Sequence, residues 1–148
     1  MKKKKEKKIH ARELGINLKP ASRQSRFQKE SELFKWFLAC LLFGKPIQQG
    51  VAKRTYFEFE KERLLTPEKI LKAGWEKLVE VLDRGHYVRY DFSTATKLLD
   101  VCKELKNHYG SLHNLFQQAR NKKDLEKRLQ EFKGIGPKTT KIFLRDIY

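Results

Sequence analysis

Eleven consecutive residues, Leu33 to Phe43, hold a single charged side chain, Lys35, among Leu, Phe, Trp, Ala and Cys. Ser31 stands before the run as a helix cap, and Gly44 stands after it as a stop. A helix that is apolar nearly all round has no face to give to water, so it belongs at the centre of a bundle. The rest of the chain must then supply the surrounding helices.

It carries the pattern to do so. A helix after Pro46 brings Val51, Tyr56, Phe57 and Phe59. Thr66-Pro67-Glu68 is a start signal with a cap, a first-turn proline and an early acid, and the short helix behind it stops at Gly74. Trp75, Leu78, Val79 and Leu82 keep helical spacing up to Gly85. Ser93 or Thr94 is expected to cap the next helix, which turns Leu98, Leu99, Val101, Cys102 and Leu105 inward and ends at Gly110. Ser111 can cap a short helix through Leu112 and Phe116; Leu125, Leu129 and Phe132 mark another, and Pro137 to Tyr148 the last. No segment shows sustained period-two alternation, so the expected fold is all-α, a helical bundle.

The 148 residues include 34 Lys plus Arg against 18 Asp plus Glu, a net charge of +16, whose usual partner is a polyanion. Residues 1–30 hold 11 of these bases and 3 of the acids, and are expected to form a flexible basic arm ahead of a helical domain at 31–148. Charged residues break every apolar run well short of the roughly 18 residues that span a bilayer. No apolar stretch follows the lysine-rich start, so a cytoplasmic, monomeric protein off the membrane is expected. Cys40 and Cys102 read as small core residues, and His10, His86, His108 and His113 lack metal-ligand spacing. Trp36, Phe37 and Trp75 read as core, while Tyr87 and Tyr90, beside Arg84 and Arg89, are weaker candidates for approaching a nucleotide.

One segment carries chemistry: Glu131-Phe132-Lys133-Gly134-Ile135-Gly136-Pro137-Lys138-Thr139-Thr140. Gly134 and Gly136 allow backbone angles that other residues resist, Ile135 can plug the turn into the core, and Pro137 suits a first helical position. Free N–H groups at such a helix start form a seat for a phosphate, with Lys133, Lys138 and Lys141 around it.

Leu129-x-x-Phe132-x-Gly134-Ile135-Gly136-Pro137-Lys138-Thr139 resembles the helix–hairpin–helix of the endonuclease III-like (HhH-GPD) DNA glycosylase superfamily. Phe34 to Phe43 is similar to that family's buried helix before its intercalating loop, and Gly85-His86-Tyr87 with Ser93-x-Ala95 to the stretch preceding its hairpin. The resemblance implies a base-excision repair protein that grips damaged or abasic double-stranded DNA. It implies DNA contacts at Lys133, Gly134, Ile135, Gly136, Lys138, Thr139 and Lys141, with Lys45 and Gln48 near the wedge position. Lys138 matches the lysine that attacks the deoxyribose C1′ to form a Schiff base. That chemistry needs a neutral amine, which burial would favour.

The family's catalytic aspartate lies somewhat under twenty residues beyond that lysine, whereas this sequence ends ten residues beyond it, at Tyr148. Asp146 falls too far along the last helix to replace it, and Asp83 or Asp91 would have to reach in from the Tyr87 turn. The expectation is a truncated or degenerate relative, more an abasic-site lyase than a full glycosylase. It would have no iron–sulfur cluster and no metal, and at most a monovalent cation at the hairpin. A non-catalytic hairpin module that only grips DNA is the alternative, and an RNA-associated basic protein a third.

Overall fold

The computed structural model describes residues 8–19 and 28–147. The described residues form seven α-helices: α1 (Glu30–Phe43), α2 (Gln49–Lys61), α3 (Pro67–Arg84), α4 (Asp91–His108), α5 (Leu112–Gln118), α6 (Lys122–Gln130) and α7 (Pro137–Arg145). Short 3-10 turns lie at Ala11–Leu14 and Val88–Tyr90. The described residues contain no strand, so the fold is all-α.

Ten of the fourteen α1 residues are buried, as its composition demands. At roughly 1.5–3 kcal/mol for each large apolar side chain withdrawn from water, this helix is the largest single contributor to the core. Phe37 packs its ring edge-on against Phe143 of α7 at 5.3 Å and Phe132 at 6.4 Å, so the central helix holds both flanks of the α6–α7 turn. The Trp36 indole N–H donates to the Phe143 carbonyl at 3.0 Å, on the same side.

Local signals place most boundaries. Thr66 accepts from the Lys69 N–H at 3.1 Å and starts α3, and Gly74, at φ +82°, breaks α3 where the sequence puts a stop. Ser111 accepts from Asn114 N–H and caps α5. Two starts differ from expectation. α1 begins at Glu30 rather than after Ser31, because the Glu30 carboxylate reaches across to the Leu112 and His113 N–H groups at 3.0 and 2.9 Å. It caps α5 while leading α1. α4 begins at Asp91, not after Ser93 or Thr94, since the 3-10 turn runs straight into it and buries Thr94 inside the helix.

The expected arm boundary at residue 30 also moves. Ile9, Ala11, Leu14 and Ile16 are buried in the same core. Asp146 of the α7 end accepts from the Ala11 N–H at 2.7 Å and faces His10 Nδ1 at 2.9 Å, while the Arg145 guanidinium donates to the Ile9 carbonyl. Lys19 and Gln28 exchange two hydrogen bonds of 2.8 Å, and residues 20–27 between them lie outside the described residues. The lysine run ahead of Lys8 lies outside the described residues.

Candidate functional site

The α6–α7 turn follows from its residues. Gly134 lies at φ +92°, the left-handed region where a side chain is strained. A Cβ there would also come within 2.8 Å of Lys97 Cδ and 2.9 Å of Cγ, so glycine is required for space as well as angle. Ile135 plugs inward at 5% exposure, and its N–H donates to the Phe132 carbonyl at 3.1 Å. Gly136 caps α7 with extended backbone and no side-chain bond, and the space that a Cβ there would enter is open. Pro137 takes the first helical position, so the turn leads directly into first-turn N–H groups that no intrahelical carbonyl can reach.

Around this opening Lys133, Lys138 and Lys141 are all exposed. Lys138 therefore lacks the burial expected of a nucleophilic lysine. Thr139 is buried, with its hydroxyl against Gly44 at the end of α1, so only its main chain is free to meet a ligand. Ile135 likewise offers main chain alone. Gln48 is exposed and starts α2 with its carbonyl, which accepts from Val51 and Ala52. Lys45 stands 5.4 Å from the Tyr90 ring, with Arg89 5.6 Å from the same ring. Tyr87 is fully buried and donates its hydroxyl to the Leu42 carbonyl at 2.5 Å, whereas Tyr90 is half-buried, so of the two only Tyr90 keeps surface in reach of solvent.

The burial that Lys138 lacks falls on Lys97. Its Nζ donates to the Leu41 carbonyl at 3.1 Å, its stem packs on Gly134, and it is 9% exposed. Desolvation, with a smaller push from Lys45, lowers its pKa from 10.5 to about 8. A cation at the C-terminal end of α1 meets the negative end of the helix dipole and satisfies a carbonyl left without an intrahelical donor. Tyr87 does the same for the next carbonyl. Sequence reasoning passed over Lys97, although it sits three residues after Thr94 and four before Val101, on the inward stripe of α4.

Asp146 is committed to His10 and Ala11, away from the turn. Asp83 is hydrogen-bonded to Asp91, which raises its pKa, and Asp91 also accepts from its own Phe92 N–H at 2.7 Å. Burial raises the pKa values of the Cys40 and Cys102 thiols and suits them to the core. Among the described residues no group of three or more His, Cys, Asp or Glu is placed to hold a metal. Nor is any described helix long and apolar enough to cross a membrane.

Fold and site together define an all-α bundle whose last two described helices are joined by a glycine turn, with open space before Gly136 and exposed lysines around it. No protein-family model, curated protein or solved structure matches this chain.

Proposed function

We propose that this chain is a DNA-repair protein that binds damaged or abasic double-stranded DNA, with the α6–α7 turn serving as a helix–hairpin–helix of the glycosylase/AP-lyase kind. One observation carries the reading. Ile135 is buried while the space before Gly136 stays open, so the turn is anchored from within and bare toward a strand. A phosphate oxygen seated there meets the first-turn N–H groups and the dipole of α7, with Lys133 and Lys141 supplying charge.

Lys138 is the candidate nucleophile for an abasic aldehyde. Its neutral amine adds to C1′, water leaves, and the resulting imine permits elimination of the 3′ phosphate. Base loss has already occurred in that substrate, so this step needs no carboxylate to assist base departure. The exposure of Lys138 favours a second reading, a module that grips duplex DNA without chemistry.

Borohydride trapping on abasic duplex separates the two. The lyase reading expects a covalent adduct that disappears in Lys138→Ala; no adduct, with duplex binding retained, leaves the module. Either reading expects duplex affinity to fall steeply with salt, with a log–log slope of about −0.9 per phosphate neutralised. Salt-independent binding refutes both.

A further inference from the structure

Across the described residues the large apolar side chains left exposed are Trp75, Val88 and Phe92; Trp75 and Phe92 pack together between α3 and α4, and Val88 lies in the turn that joins those helices. The break at Gly74 opens the start of the second half of α3, where Trp75 is 38% exposed rather than in the core as its spacing predicts. Its indole N–H donates to Thr96 Oγ1 at 3.1 Å, and its ring lies 5.1 Å from that of Phe92. The pair is thus held in position rather than loosely displayed. Phe92 and Val88 are each 60% exposed, flanking Tyr90 with its attendant Lys45 and Arg89.

An apolar cluster beside two cations is a poor match for a neutral protein surface and a good one for unpaired nucleotides. Their bases offer faces to aromatic rings, and their phosphates seek positive charge. Two acids also stand at this junction: Asp83 and Asp91 share a hydrogen bond, and Asp91 accepts from the Phe92 N–H. Lys45 also lies close enough to Lys97 to depress its pKa, and Lys97 packs on Gly134, so the junction adjoins the α6–α7 turn. We propose that Phe92 and Trp75 form a stacking platform for an unpaired DNA strand whose phosphates run past Lys45 and Arg89. This contact goes beyond the duplex grip and is separable from it.

The full chain carries its own reporter. Of its two tryptophans Trp36 is fully buried, so Trp75 is the one that a ligand can quench. Titration with single-stranded oligo(dT) is expected to quench the emission, and Trp75→Phe to abolish the signal. Phe92→Ala is expected to weaken oligo(dT) binding about tenfold while leaving blunt-duplex affinity and far-UV circular dichroism unchanged. Arg89→Gln is expected to lower the salt slope for oligo(dT) by about one. The proposal is overturned if oligo(dT) neither quenches nor loses affinity in Phe92→Ala, or if that variant weakens duplex binding equally. Concentration-dependent quenching without DNA overturns it too, since a second copy of the chain would then cover the patch. Failure of duplex binding alone leaves this result standing, so the two readings fall separately.

Discussion

The α6–α7 turn at 131–136 and the α3–α4 junction at 85–90 each link two helices, and they present opposite things to solvent. The turn hides its apolar residue, Ile135, and leaves open space where a Cβ at Gly136 would stand. The junction hides a polar-tipped residue, Tyr87, whose hydroxyl caps α1, and leaves Val88 and Phe92 outside. A bare backbone recognises what every nucleotide shares, its phosphate; exposed rings recognise only what unpaired nucleotides expose. On the two proposals above, two connections of similar length would suit two states of one polymer.

The sharpest way to break the turn is at Gly134. Alanine there must accept φ +92°, at roughly 1–2 kcal/mol, and drive its Cβ into the Lys97 stem, at typically 1–3 kcal/mol of overpacking. Urea unfolding of Gly134→Ala is expected to show a loss of about 2–5 kcal/mol. Adding Lys97→Ala removes the collision but not the strained angle, so the double variant is expected to lose less than the sum of the two singles. Strict additivity would mean that Gly134 and Lys97 are not in contact.

Lys97 joins the two regions, and its titration makes the junction measurable. In the folded chain it releases its proton near pH 8, against 10.5 for a free side chain. Between those values the unfolded chain binds more protons, so stability rises with pH through the window. Below it both states are protonated, and the cost of burying the charge is present in full. Relative to Lys97→Met, the wild-type chain is expected to gain up to about 3 kcal/mol as pH is raised from below about 8 to about 10. Parallel pH profiles for the two proteins would place Lys97 in solvent and dissolve the link between turn and junction.

What could be read from the sequence follows the range of the interactions. Thr66, Gly74 and Ser111 act on neighbours a few residues away, and their helix boundaries are visible in sequence. The plug at Ile135 was legible for the same reason, since two glycines and a proline set its conformation locally. Glu30 was not, because its partners, the N–H groups of Leu112 and His113, are some eighty residues distant in the chain. Ile9, Leu14 and Ile16 follow a lysine run without helical period, and only Asp146 and Arg145 at the other end of the chain show why they pack. Trp75 has core spacing and misleads: Leu78 and Leu82 on the same face are buried, whereas Trp75, the first residue after the Gly74 break, stands at the end of that face and is 38% exposed. Lys97 lies on a legible stripe, but its charge argues against the inside, and the Leu41 carbonyl that accepts from it is 56 residues away in the chain.

The smallest expected effect divides the two regions most cleanly. Gly136 has an ordinary φ of −108°, and a Cβ there meets nothing within 4 Å. Valine at this position can therefore keep the cap geometry, and stability is expected to change by no more than about 0.5 kcal/mol. Its methyl groups would nonetheless occupy the space in which a phosphate oxygen reaches the α7 N–H groups. Anisotropy titration is expected to show duplex affinity down about tenfold, a loss of ~1.4 kcal/mol. Oligo(dT) quenching of Trp75 is expected to be unchanged. Unaltered duplex affinity would take the turn out of the interface and leave the junction as the chain's nucleic-acid surface. Equal loss on both substrates would show that a single surface, spanning turn and junction, binds either form of DNA.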